Sequence, residues 1–259
     1  MRLLVTRPQP QADDWVRRLA ERGVDAHALP LLDIEDAADP LPVRAAWQGL
    51  AAQRLVMFVS PSAVDRFVAQ APAGWQWPAR TLAGGTGPGT ARALGAAGVP
   101  AECIVSPGAD SPRLDSEALW ALLRDRLSWH GERALIVRGE GGREWLADTL
   151  RAEGAEVSFV TAYRRSAPRL GEQGSRLLGQ ALALPDAHLW LLSSSEAVQQ
   201  LPALLAGQSL ARSQALATHP RIAATARDIG FGRVDEVGAS IDAVGQAALD
   251  RAQGSPQGR

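Results

Sequence analysis

The chain has 259 residues, 46% apolar and 21% charged, enough to bury one large core or two ordinary ones and too apolar for a disordered segment. Its 27 basic residues are all Arg, and the absence of Lys excludes a Schiff-base lysine, a lysine-anchored pyridoxal phosphate and a P-loop. A net charge of −1 argues against a general nucleic-acid binder, no apolar run approaches the roughly 20 residues that span a bilayer, and Met1–Val5 runs into Thr6-Arg7-Pro8 without room for a signal peptide, so a cytoplasmic protein is expected.

Hydrophobic periodicity predicts a strand over 2–6 and a helix over 10–22, with Trp15, Val16 and Leu19 on one face and Gly23 as its stop. A strand over 24–29 follows, then an extended stretch from Leu31 to Glu35 and an acidic, Pro-containing connection from Asp36 to Pro42. The next units are strand 55–59, helix 61–70 with Pro in its first turn, strand 81–83, helix 88–97, strand 101–105 and a helix opened by Asp115-Ser116-Glu117 and running to Leu127. The pattern then restarts: strand 133–137, helix 141–153, strand 155–160, an extended stretch through Tyr163-Arg164-Arg165, helix 171–183, strand 187–192 and helix 194–205. Strand 214–217, helix 219–229, strand 233–237 and helix 240–251 complete it, and the polar tail from Gln253 to Arg259 is expected to be disordered. Alternating strands and helices predict parallel sheets covered by helices on both faces.

Three motifs recur in order at nearly constant spacing. Leu4-Val5-Thr6-Arg7 with Leu19 and Gly23 matches Ile136-Val137-Arg138 with Leu150 and Gly154 at an offset of 131. Phe58 to Val64 matches Leu192 to Val198 at 134, and Thr86-Gly87-Pro88 with Ala91 and Gly98 matches Thr218-His219-Pro220 with Ala223 and Gly230 at 132. The reading is two similar lobes from a duplication, against the plainer alternative that any two βα units look alike.

Ligands of such sheets bind at the carboxyl ends of the strands. Thr6-Arg7, Ser60-Pro61-Ser62, Gly84-Gly85-Thr86-Gly87, Arg138-Gly139, Ser193-Ser194-Ser195 and Thr218-His219 all fall at predicted strand-to-helix turns. Hydroxyls and glycines there let backbone N–H groups reach an anion, so the two lobes are read as sharing an anion-binding cleft; the competing reading is a set of ordinary helix caps. The Gly84–Gly89 cluster does not reproduce G-x-G-x-x-G, and Gly139-Glu140-Gly141-Gly142 places a carboxylate where a phosphate would be repelled. His27, His130, His188 and His219 lack partners at ligand spacing, so no metal is expected, and the lone Cys103 reads as a buried strand residue.

Taken in order, Val5-Thr6-Arg7-Pro8, Phe58 to Val64, Gly85 to Ala91, Asp115-Ser116-Glu117, Val137-Arg138-Gly139 with Gly142-Arg143, Tyr163-Arg164-Arg165, Ser193-Ser194-Ser195 and Thr218 to Ala223 make a chain that resembles the uroporphyrinogen-III synthase family over nearly its whole length. It departs from that pattern at Ser62, where the family commonly carries Asn, and at Ala118, where it carries Gly.

The resemblance implies two α/β domains joined by a pair of extended strands. One would be 1–34 with 169–259, the other 39–160, with linkers at 31–38 and 161–168. It also implies a cofactor-free, monomeric enzyme that expels water from hydroxymethylbilane, inverts ring D through a spiro intermediate and closes the macrocycle, its partner a linear polycarboxylate. The substrate-binding residues it points to are Thr6, Arg7, Ser60, Ser62, Gly85, Thr86, Gly87, Thr90, Ser116, Arg138, Gly139, Arg143, Ser194, Ser195, Thr218 and His219. Tyr163, the only Tyr in the chain, is the candidate general acid. A nucleotide-dependent α/β enzyme and a two-lobed small-anion binding module are the other classes the sequence leaves open.

Overall fold

A computed structural model of the chain describes residues 1–254; of the expected tail, 255–259 lie outside the described residues. The chain forms two compact units, Met1–Asp33 together with the chain from Ser166 onward, and Ile34–Arg165. In chain order the elements are β1 (Arg2–Val5), α1 (Gln11–Ala20), β2 (Ala26–Ala28), β3 (Asp33–Asp36), α2 (Leu41–Gln48), β4 (Leu55–Phe58), α3 (Pro61–Val68), β5 (Leu82–Gly85), α4 (Pro88–Ala96), β6 (Ile104–Val105), α5 (Ser116–Leu123), β7 (Arg133–Gly139), α6 (Trp145–Ala152) and β8 (Glu156–Ser166). Then come α7 (Glu172–Ala183), β9 (His188–Leu192), α8 (Ser195–Val198), α9 (Leu201–Leu204), β10 (Gln214–Ala217), α10 (Pro220–Asp228), β11 (Arg233–Glu236) and α11 (Ile241–Gly254).

Several expectations are corrected here. The acidic connection before residue 43 runs straight into α2, because Pro40 and Pro42 sit at its cap and first turn, where the missing N–H costs nothing, and Val43 and Trp47 bury one face. Residues 101–103 are a turn of 3-10 helix closed by the Cys103 N–H on Pro100 O at 3.0 Å, which leaves only Ile104–Val105 as strand. The helix expected over 194–205 is two short helices: Pro202 has no N–H to give Val198 and its ring collides with that carbonyl, so a second helix restarts at Leu201. The helix expected from residue 141 starts at Trp145, since Gly141 and Gly142 hold φ of 68° and 130° outside the helical region. Gly84 and Gly85 lie in β5 instead of a turn, and Gln253 still belongs to α11.

The first unit's sheet has the order β11-β10-β9-β1-β2, and the second unit's the order β3-β8-β7-β4-β5-β6. Pairings of β1 with β2 and β9, of β10 with β9 and β11, of β4 with β5 and β7, of β5 with β6 and of β7 with β8 are all parallel. Under the sequence repeat, β1 corresponds to β7, β9 to β4 and β10 to β5. The two sheets therefore run in the same order, with β3 as an extra edge strand on the second.

Successive strand residues point to opposite faces, and both faces of each sheet are covered. In the first unit Leu4, Trp190 and Leu192 enter one core while Leu3, Val5, Leu189 and Leu191 enter the other. In the second unit Val56 and Phe58 face one core, Leu55 and Met57 the other. Among the described residues no helix is long and apolar enough to cross a membrane.

Candidate active site

Because the strands of each sheet are parallel, their carboxyl ends share one edge, and the turns singled out in the sequence line that edge of each unit. In the first unit the turns after β1, β9 and β10 carry Thr6-Arg7, Ser194-Ser195 and Thr218-His219. Thr6 is buried and its hydroxyl donates to Leu191 O at 2.6 Å, tying β1 to β9. The Arg7 guanidinium lies 4.2 Å over the Trp15 ring of α1. Ser194 caps α8, its Oγ accepting the Ala197 N–H at 3.3 Å, while the buried Ser195 hydroxyl has no hydrogen-bond partner among the described residues. The Thr218 N–H donates to Leu192 O at 3.1 Å. His219 is exposed and caps α10 by accepting the Arg221 N–H on Nδ1 at 3.1 Å, which leaves the proton of a neutral ring on Nε2.

In the second unit the turns follow β4, β5, β6 and β7, with Arg143 in the last of them; Arg138 and Gly139, expected in that turn, are instead the final residues of β7. Ser60 caps α3, its Oγ accepting the Ala63 N–H at 3.2 Å, and Ser62 is buried in the first turn. Thr86 Oγ1 donates to Val59 O at 3.4 Å. Gly85 packs under the buried Thr90, where a Cβ would stand 3.0 Å from that side chain. Gly87 begins α4 with no side-chain cap. Ser116 opens α5, but the cap is Asp115, whose Oδ1 accepts the Ala118 N–H at 2.9 Å. These residues therefore share their hydrogen-bonding capacity between local structure and any ligand, as the cap reading anticipates.

Tyr163 is the point at which predicted residues converge. Its ring is 2% exposed on β8, in register with Gly139 at the end of β7, past an irregularity between Arg138 and Gly139. A Cβ at residue 139 would lie 2.7 Å from Cε2 of the ring, so Gly139 is the floor on which the phenol rests. The phenolic oxygen is 3.2 Å from Ser60 Oγ and accepts the Arg165 Nη2–H at 3.1 Å. A buried phenol beside a hydroxyl and a guanidinium can give up its proton and keep the resulting charge stabilised by fixed donors.

Arg138 and Arg143, the two arginines of this edge expected from the sequence, are already engaged. Arg138 lies 4.0 Å over the Phe159 ring and its Nη1 donates to Glu144 Oε1 at 3.1 Å. Arg143 Nη2 donates to Glu117 Oε1, an oxygen that Arg113 also approaches at 3.4 Å. Their fixed forks suit carboxylates, and here they hold the chain's own. Arg165 and Glu117, noted in sequence motifs but not chosen as site residues, and Glu144, not singled out at all, are further members of this edge. Arg165 lies two residues from Tyr163 on one strand, and that period-two spacing was the available signal.

Cys103 is buried, and burial, with the Glu102 charge adding to it, pushes its thiol above the ordinary value. Among the described residues no three His, Cys, Asp or Glu side chains come together as a metal site.

The pattern that defines the family described as uroporphyrinogen-III synthase HemD matches residues 13–242. The uroporphyrinogen-III synthase of Salmonella typhimurium is 34% identical over 239 residues, covering 89% of this chain and 92% of that protein. That of Escherichia coli is 32% identical over 238 residues, with the same 89% and 92% coverage. A solved structure of mutant uroporphyrinogen III synthase from Thermus thermophilus aligns with a TM-score of 0.56 at 19% identity, covering 98% of this chain and 99% of that one, which is a likeness of fold.

Proposed function

The chain belongs to the uroporphyrinogen-III synthase family, and from that premise we propose the following reading of its chemistry. The enzyme cyclises hydroxymethylbilane to uroporphyrinogen III, with loss of water and inversion of ring D, in tetrapyrrole biosynthesis. Its partner is a small polycarboxylate substrate, and it works as a monomer in the cytoplasm; the net charge of −1 supports a partner other than nucleic acid.

The observation that carries the assignment of roles is the buried Tyr163 phenol held between Ser60 and Arg165. Tyr163 gives its proton to the departing hydroxyl of the bilane, a contribution of about 10² to 10⁴-fold for a positioned acid. The larger task is conformational, since the unassisted chain closes without inversion. In the second unit Ser60, Ser62, Gly85, Thr86, Gly87, Thr90, Ser116, Arg138, Gly139 and Arg143 offer the substrate's carboxylates their donors, and Thr6, Arg7, Ser194, Ser195, Thr218 and His219 are donors of the same kind in the first unit. With those fixed, the substituted carbon of ring D meets the electrophile. Orientation of this kind is worth up to roughly 7 to 11 kcal/mol. Arg138 and Arg143 exchange Glu144 and Glu117 for substrate carboxylates as they bind.

The test is to supply hydroxymethylbilane to the purified protein without added nucleotide and to separate the isomers by chromatography. The reading expects the type III product in excess over the spontaneous type I product. An isomer ratio equal to that of the protein-free reaction would contradict it.

A further inference from the structure

We infer that Arg165 is a positioning residue that aims the Tyr163 proton at the substrate and holds the phenolate left behind; this rests on Tyr163 being the general acid. Tyr163 and Arg165 are two apart on β8, so their side chains leave the same face of the strand. The guanidinium carbon is 5.3 Å from the ring centroid and Nη2 is 3.1 Å from the phenolic oxygen. A guanidinium has donors only, so Arg165 fills one lone pair of that oxygen and cannot take its proton. Ser60 Oγ stands 3.2 Å away and already accepts the Ala63 N–H at 3.2 Å. When the Ser60 hydroxyl donates to the phenol, both lone pairs of the phenolic oxygen are filled. Its proton then has one direction left, away from Ser60 and Arg165. Gly139 beneath the ring keeps the phenol from swinging out of this arrangement.

The step balances without any further reactant. The C–O bond of the hydroxymethyl group breaks with both electrons going to oxygen, and the Tyr163 proton joins that oxygen to make water. The O–H electron pair stays on the phenolate, which accepts from Arg165 and Ser60, and the bilane keeps the positive charge, spread over its pyrrole. The phenolate regains a proton when the closed macrocycle loses one to restore the aromatic ring. A cation fixed before the reaction needs no reorganisation during it.

The experiment is a double-mutant cycle on the full chain, with melting curves as a control on folding. Arg165→Gln is expected to lower kcat by about 10- to 100-fold, the range for a hydrogen bond to a charged group. KM should move far less, because the contact tightens only as charge develops. Arg165→Lys, which restores a cationic donor, should recover most of the loss. Placed on Tyr163→Phe, Arg165→Gln should cost no more than about a further twofold, because the group it serves is gone. Unchanged kcat in Arg165→Gln, or an equal fold-loss in both backgrounds, would overturn the inference and leave Tyr163 as the acid. Unchanged kcat in Tyr163→Phe alone would overturn the acid itself.

Discussion

A methyl group on Gly139 would stand 2.7 Å from Cε2 of Tyr163, closer than real side-chain contacts allow, so the glycine at the end of β7 and the tyrosine on β8 fix one another. The ring is fully buried and tied at its oxygen to Ser60 and Arg165, and it can move only by leaving those partners. Gly139→Ala is therefore expected to lower turnover at least about tenfold by displacing the acid. Its stability should fall by only about 1 to 3 kcal/mol, as for a modest overpacking. Turnover equal to the parent's, in a folded variant, would show that the ring position is unimportant.

Thr6 separates a structural hydroxyl from a ligand-binding one. Its Oγ1 donates to Leu191 O inside the first unit. Thr6→Val keeps the shape and removes the donor, and denaturant unfolding should show a loss of about 1 kcal/mol. If stability is unchanged and kcat/KM falls instead, the hydroxyl serves the substrate.

Arg138 lies over Phe159 with Glu144 as its partner, and Glu144 is half-exposed. If Arg138 takes up a substrate carboxylate, Glu144→Gln removes an internal competitor. KM should then fall up to about fivefold, in line with the small worth of exposed ion pairs. Arg138→Ala should raise KM. Steady-state kinetics decide it: a higher KM in both variants would make the pair a structural clasp.

Cys103 is the only cysteine, buried, with its thiol raised by burial. At neutral pH a thiol reagent should modify the native protein only as fast as it opens, since the thiolate is the reactive form. Rapid stoichiometric labelling of folded protein would contradict the burial.

The strand and helix succession was readable because fully buried parallel strands write themselves as unbroken apolar runs, such as Leu3-Leu4-Val5 and Leu55 to Phe58. The common order of the two sheets, β2-β1-β9-β10-β11 beside β8-β7-β4-β5-β6, follows the offsets that the sequence repeat displays. Proline misled in both directions. Pro40 and Pro42 hid α2 because they read as breakers although they start it, while Pro202 went unheeded inside a helix it interrupts. At the site, sequence could mark Tyr163, Ser60 and Gly139 separately. That they touch depends on where β8 pairs with β7 and β7 with β4, a register set by long-range packing that no local pattern records. The carboxylate on Arg143 was hidden for the same reason, since Glu117 reaches it across 26 residues of chain, whereas Glu144 meets Arg138 from only six residues away, across the turn that Gly141 and Gly142 make.

The most direct measurement of the central claim is the turnover and product isomer of Tyr163→Phe with hydroxymethylbilane. Removing one oxygen from a buried ring should leave the fold intact and slow turnover by about two to four orders of magnitude. The product that still forms should remain type III, because the turns that orient the substrate are untouched. Parent-like turnover would contradict the account, since Tyr163 would then give no proton to the leaving hydroxyl.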